Sequence, residues 1–360
     1  MIRFSIRGPV AVAMFALAGA CGEADEAEPP VQPVAATAEP ISTLDDGTEP
    51  VLARPLSVDR APDDGFVIPD RSHRDLKLYG ADGRRTGTVG RAGGGPGEFA
   101  ALTSGGVFRD SVYGFDMVAG RLYLFGGDGR AARSVPVPQG TWSVRAVDDS
   151  LFLVVRSVAP ARRDALVLMR PDGSVRGSFF DASRFVGRNP ELAQLAAVVA
   201  DARDGTVFAG VFGVDTLYAF DYAGRQTGAS SIDRDEPLPS FRELAAENGG
   251  RLRRAGGGWV IDGAEVLIAL TALDDRRAVL HVQRFDAETG LDRVEGGRLL
   301  LFDLDRRGTP RLRGRAAPVA GLMGRDRDGQ PLLLGYAPGN ADQYVVQRLL
   351  WAPPTGDRPR

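Results

Sequence analysis

The sequence predicts an all-β fold, a six-bladed β-propeller built from four-stranded antiparallel blades. Three observations lead there. A hairpin unit recurs as LKLYGADGR from Leu76, LYLFGGDGR from Leu122, LVLMRPDGS from Leu166 and LYAFDYAGR from Leu217, at intervals of 46, 44 and 51 residues. One or two further strand-like runs precede each copy, so each period holds about four strands, too small a unit to bury both faces alone. Glycine (46) and proline (24) approach a fifth of the 360 residues, which suits many turns between short strands.

In chain order, residues 1–20 read as a secretory signal peptide. MIRFSIR is a short basic region, and VAVAMFALAGA (10–20) is an apolar run ending in small residues, too short to span a bilayer. Ala18-Gly19-Ala20 fits signal-peptidase cleavage. LAGAC (17–21) is similar to a bacterial lipobox with Cys21 as the acylated residue, although Ala18 stands where leucine is usual. Cys21 is the only cysteine, so the mature chain forms no internal disulfide. Residues 21–50 carry eight acids and no base among proline and alanine, without periodicity, and are expected to form a disordered tether. The propeller is expected over residues 51–360.

Each hairpin copy runs a mostly apolar strand into Asp-Gly or Ala-Gly, a pair suited to tight hairpin turns. Preceding strands are read in GFVIPD (65–70), GGVFRDSVYGFDM (105–117), SVRAVDDSLFLVVRS (143–157) and LAAVVADARDGTVFAGVF (195–212). GWVIDGAEVLIALTAL (258–273) opens a fifth unit and PVAGLMGRDRDGQPLLLGYA (318–337) a sixth. Weaker hairpin copies start at Val282 and Leu300. The last unit supplies three strands, and PVLARPLSV (50–58) is expected to add the fourth and close the ring. Two helical insertions are expected. Residues 188–201 offer Asn189 as N-cap and Pro190 in the first turn, and residues 239–250 offer a Ser240…Glu243 capping box.

GRAGGGPGEF (90–99) raises the question of a phosphate loop. There is no Gly-Lys pair, which excludes a Walker loop, and Glu98 stands where a pyrophosphate would approach. The stretch leads into a strand rather than a helix, so it reads as a turn. Residues 90–130 resemble an NHL-type repeat and are similar to bacterial six-bladed propeller lipoproteins. Gly95, Pro96, Gly97, Glu98, Phe99, Asp116, Arg121, Phe125, Asp128 and Gly129 supply the pattern, while Ala101-Leu102 and Ala223 depart from it. The resemblance implies that GPGEF connects two blades. It also implies that Asp116, Arg121, Asp128 and Gly129 are scaffold residues of the turns, as are Asp70 and Asp75 one blade earlier.

Little points to catalysis. His73 and His281 are the only histidines, more than two hundred residues apart, and no zinc-ligand spacing or nucleophile elbow occurs. DRDG (326–329) begins like a calcium loop but lacks its later ligands, so it reads as a hairpin turn. All basic residues but Lys77 and the histidines are arginines, scattered and matched by acids, which excludes a nucleic-acid stripe. The expected function is an extracytoplasmic, lipid-anchored binding module for a protein, peptide or glycan, without cofactor. Its binding face would display Arg91, Glu98, Arg242 and Arg251 beside the inter-blade connections. The alternative is an NHL-like hydrolase or lyase of lactonase type, using the central channel with calcium or an arginine–acid pair. Gly22 after the cysteine suits outer-membrane sorting in a Gram-negative host.

Overall fold

Apolar runs become the middle strands of antiparallel sheets, and runs with alternating polar residues become their edges. The computed structural model describes residues 36–45, 52–126, 129–159, 162–186, 197–212, 214–232, 252–255, 258–261, 265–284, 297–316, 322–326, 328–337 and 340–351. These belong to one unit, Gln32–Arg360. Strand β1 (Ala36–Thr43) pairs with the last strand of the chain. The first sheet follows as β2 (Asp59–Arg60), β3 (Phe66–Asp70), β4 (Asp75–Tyr79) and β5 (Arg85–Val89). A parallel ladder of β6 (Arg91–Ala92) and β7 (Glu98–Phe99) leads to the second sheet, β8 (Leu102–Phe108), β9 (Ser111–Asp116), β10 (Arg121–Phe125) and β11 (Ala131–Pro136).

The third sheet holds β12 (Thr141–Asp148), β13 (Leu151–Arg156), β14 (Leu166–Met169) and β15 (Val175–Phe179). After the short helix α1 (Ser183–Val186) come β16 (Val198–Arg203), β17 (Thr206–Val211), β18 (Thr216–Asp221) and β19 (Gln226–Ser231). A separate pair, β20 (Leu252–Ala255) and β21 (Gly258–Ile261), precedes the sheet of β22 (Glu265–Ala272), β23 (Arg277–Arg284), β24 (Arg298–Leu304) and β25 (Pro310–Ala316). The last strands are β26 (Leu322–Arg325), β27 (Pro331–Ala337) and β28 (Asn340–Trp351), with β1 on the outer side of β28. One parallel register pair, Asp59 with Arg325, joins this last sheet to the first.

Packing between sheets explains the apolar runs. In β13 and β14 residues of both faces are buried, because a neighbouring sheet covers each face, whereas β15 is half exposed. Phe99 and Leu76 join the first and second sheets, and Tyr113 and Phe152 the second and third. Leu166 and Val207 join the third and fourth, Phe208 and Leu280 the fourth and fifth. Val279 and Leu333 continue to the last sheet, and Phe66 and Leu332 return from it to the first. Each fully buried Leu or Phe contributes about 1.5–3 kcal/mol relative to exposure, so each cluster fixes one inter-sheet contact.

The recurring hairpins share one geometry. Gly83, Gly129, Gly173, Gly224 and Gly308 turn with φ of 82°, 73°, 89°, 82° and 81°, a region that L side chains disfavour. Five residues further on or fewer, each outer strand carries a bulge, at Thr86, Ala132, Arg176, Thr227 and Arg313. Asp82 and Asp172 brace their turns by accepting the N–H groups of Arg84 (3.0 Å) and Ser174 (2.8 Å). Where Ala223 replaces that aspartate, Asp221 accepts from Ala223 (3.0 Å) and Arg225 (2.9 Å) instead. The copy from Leu300 is therefore a full hairpin, β24–β25, whereas Val282 lies in β23.

Three expectations change. The strand completing the last sheet is β1, Ala36–Thr43, not residues 50–58, so part of the segment read as tether is a strand. Residues 55–60 instead bridge to Asp70 and form β2. Residues 198–201, expected to end a helix, open strand β16, since Val198, Ala200 and Ala202 pack inward at strand period. The rest of that insertion up to residue 196, and all of 239–250, lie outside the described residues.

Candidate functional site

The first strands of the sheets converge, and a cavity of about 190 Å³ lies between them. Thr103, Trp142, Val199, Leu270 and Met323 line it, from five different sheets, with Ser57 just before β2. Most lie early in their strands, at the end where the connections from the preceding sheets enter. Two lining residues sit on bulges: Thr103 is skipped in the β8–β9 register and Trp142 in the β12–β13 register. A bulge re-aims the extra side chain. Trp142 is 47 % exposed, so the cavity reaches solvent there, while the Thr103 hydroxyl is buried with no hydrogen-bond partner.

The cavity floor is charged. Asp59, Arg145 and Arg325 line it, and Asp201, fully buried, lies behind them. The Arg325 guanidinium donates to the carbonyls of Ala202 (3.1 Å) and Ala146 and approaches Asp201 Oδ2 at 3.4 Å. The same Asp201 oxygen accepts the Ala272 N–H at 3.0 Å. Arg325 thus ties the third, fourth, fifth and last sheets together. Burial works against its charge, but Asp201 and Asp59 outweigh that and raise its pKa. Arg145 differs: its guanidinium comes to 3.6 Å from Asp201 Oδ2, an ion pair beyond hydrogen-bond distance.

Asp59 Oδ2 accepts the Val107 N–H at 3.3 Å. That approach requires Gly106, where an added Cβ would fall 1.8 Å from the same oxygen. Burial pushes the Asp59 carboxyl above the ordinary range, against the pull of Arg145 and Arg325. Tyr113 closes the wall between sheets by accepting the Ala146 N–H at 3.1 Å.

The residues singled out in the sequence lie elsewhere. Asp116, 1 % exposed, accepts the N–H groups of Ala100 (2.7 Å), Ala101 (3.2 Å), Val118 (2.9 Å) and Ala119 (3.1 Å). Arg121 pairs in register with Asp116 but turns to Ser134 Oγ (2.5 Å) on the neighbouring strand. Asp70, at the same place in the first sheet, accepts from Ala53, Arg54, Ser72 and His73, and the His73 Nδ1 lies 2.9 Å from its Oδ2. Glu98 holds the GPGEF turn, accepting the Gly95 N–H (2.8 Å) and a hydrogen bond from Arg91 Nε (2.8 Å). Gly129 is the hairpin glycine described above. Asp326 accepts the Gln330 N–H at 2.7 Å and closes the DRDG turn. His281 is 1 % exposed in β23, and burial alone lowers its pKa to about 4, so it is neutral. Cys21, Asp128, Arg242 and Arg251 lie outside the described residues. No group of three or more His, Cys, Asp or Glu side chains is gathered for a metal among the described residues.

Sequence reasoning passed over Asp59, Arg145, Asp201, Arg325, Thr103 and Trp142. The available signal was weak. Arg145, Asp201 and Arg325 stand among apolar residues in β12, β16 and β26, where an unpaired charge would be costly. Other charged residues share β12 and β16, however, and β2 is charged throughout.

No protein-family model and no curated protein matches the chain. Among solved structures, a member of the DUF4221 family from Bacteroides vulgatus aligns with a TM-score of 0.62 at 10 % identity, over 89 % of this chain and 99 % of its own. A Bacteroides fragilis protein described as exported aligns with a TM-score of 0.57 at 10 % identity, over 88 % and 96 %. At such identities the likeness concerns the fold alone. With the four-stranded sheets packed face to face, it places the chain among propeller-like folds.

Proposed function

We propose that the chain is a six-bladed, NHL-like β-propeller that acts at the cell envelope as a binding module for a protein, peptide or glycan. Apolar clusters that link successive sheets and return from the last to the first support the blade count. The LAGAC motif supports a lipid on Cys21, and Gly22 supports outer-membrane sorting. The fold shared with a protein described as exported supports an extracytoplasmic site.

The observation that carries the binding reading is the form of the cavity. Its floor is braced by Arg325, committed to two carbonyls and Asp201, while Trp142 stands exposed at its edge. A preformed cleft lined by fixed polar and charged groups, with an exposed aromatic at its edge, suits recognition of a polar ligand. No cofactor enters this reading. One observation favours the rival hydrolase or lyase: Asp59, with its raised carboxyl beside the cavity, is the kind of group that donates a proton.

Defined peptide and glycan arrays probed with the full chain test the two. The binding module gives ligands whose capture is lost in Trp142→Ala and whose mass is unchanged after incubation. A ligand converted by the wild type but not by Asp59→Asn would establish the enzyme instead.

A further inference from the structure

The two arginines at the cavity floor are not equivalent. Arg325 donates to two carbonyls and approaches Asp201. Arg145 has the more exposed side chain, 26 % against 16 %, and its guanidinium makes no hydrogen bond to any described residue. It therefore offers a planar fork of donors to the cavity. The hydroxyl of Thr103, buried without a partner and re-aimed by a bulge, lines the same cavity. Trp142 and Leu270 supply apolar wall to the same cavity.

The geometry points to a binding site for a small monocarboxylate, its oxygens held by the Arg145 guanidinium and the Thr103 hydroxyl and its apolar part against Trp142. Guanidinium matches a carboxylate in two parallel hydrogen bonds. Asp201 lies 3.6 Å from the Arg145 guanidinium, so a single negative charge is better accommodated there than the double charge of a phosphate. A cavity of about 190 Å³ holds a ligand of modest size. A peptide or sugar acid would have to present its carboxylate by the same route. This inference rests on the cavity being the binding site.

The test titrates the full chain with acetate, propionate, lactate and benzoate, with the corresponding amides, and with inorganic phosphate, following heat of binding and melting temperature. Acids are expected to raise the melting temperature with concentration, as any ligand of the folded state does. Amides and phosphate are expected to do so at least about tenfold more weakly, since a lost charge-assisted pair is worth on the order of 1.4 kcal/mol or more. Arg145→Gln should abolish acid binding. Because it also removes an ion pair to the buried Asp201, its unliganded melting temperature is expected to fall, and the acid-induced rise is read from each protein's own unliganded value. Arg145→Lys should retain part of the acid binding. Amides that bind as tightly as acids, with both lost in Trp142→Ala, would overturn the carboxylate and leave the cavity as a binding site. Phosphate binding more tightly than the acids would overturn it as well. If acids and amides alike are silent, the carboxylate site fails; if arrays then yield ligands indifferent to Trp142→Ala, the cavity reading fails with it.

Discussion

At the end of its second strand the second sheet carries Asp116, and the third sheet carries Arg156 in the matching place. Leu102 faces Asp116 and Thr141 faces Arg156 across the first strand. Asp116 accepts N–H groups from the incoming connection at Ala100 and Ala101 and from the middle turn at Val118 and Ala119. Arg156 donates to the carbonyl of Gln139 (3.0 Å) in the incoming connection, and to the carbonyl (3.3 Å) and carboxylate (2.6 Å) of Asp164 before the third strand. One position therefore joins the same two segments with either sign of charge. What the fold demands there is satisfaction of buried backbone groups, not a particular residue.

The two solutions should not cost the same to remove. Asp116→Ala strands four N–H donors around a buried carboxylate site, and unpaired buried donors are the expensive kind. We expect a loss of about 3 kcal/mol or more in urea unfolding, with Asp116→Asn intermediate because only one of its side-chain oxygens remains an acceptor. A loss below about 1 kcal/mol would mean that water replaces the carboxylate and the anchor is dispensable.

The first sheet sharpens the comparison, because its anchor adds a side-chain donor. Burial works to raise the Asp70 carboxyl, but the His73 side chain and the backbone N–H groups of Ala53 and His73 outweigh it and hold the pKa below the ordinary value. A carboxyl lowered on folding contributes stability that is complete above its unfolded pKa and lost as the pH falls through the folded value. Asp70→Asn should thus cost about 2 kcal/mol at neutral pH, and the mutant should lose less further stability than the wild type between pH 4 and 2, as about one titrating carboxylate predicts. Parallel acid limbs in wild type and mutant would show that Asp70 is not the titrating anchor.

Arg156→Met comes next. Methionine keeps much of the apolar stem, and carbonyls tolerate under-satisfaction better than N–H groups do. About 1 kcal/mol is expected by chemical denaturation. A loss equal to that of Asp116→Ala would break the claim that donors and acceptors differ at this position.

The same contrast explains what could be read before the structure was known. The hairpins were legible because their glycines need positive φ, a local requirement that leaves Asp-Gly in the sequence. Asp116 was legible as a turn residue for another local reason: an aspartate at the start of a turn accepts the N–H groups that follow it, here those of Val118 and Ala119. Strand β1 was not, because it is an outer strand whose side chains from Thr37 to Pro40 face solvent, so Ala36–Thr43 carries no apolar alternation. The cavity was not legible either. A bulge at Thr103 or Trp142 is defined by pairing with another strand, and Asp59, Arg145, Asp201 and Arg325 come from four sheets. Arg91 and Glu98 were read as facing a partner, and the structure brings them to each other.

That pair carries the smallest expected effect. Glu98 accepts from the Gly95 N–H and from Arg91, so its two partners can be separated. The Arg91 side chain is 79 % exposed against 21 % for Glu98, and an exposed ion pair contributes little once solvent screens it. Arg91→Ala should therefore leave the melting temperature where it is, at low and at high salt alike. Glu98→Ala removes the acceptor that holds the glycine turn and should lower it measurably, with Glu98→Gln close to wild type because its amide oxygen still accepts from Gly95. Since Phe99, the next residue, is fully buried between the first two sheets, a loosened turn should also shorten hydrogen-exchange protection around Phe99 and Tyr123. If Arg91→Ala instead destabilises as much as Glu98→Ala, the ion pair and not the turn is what fixes this connection.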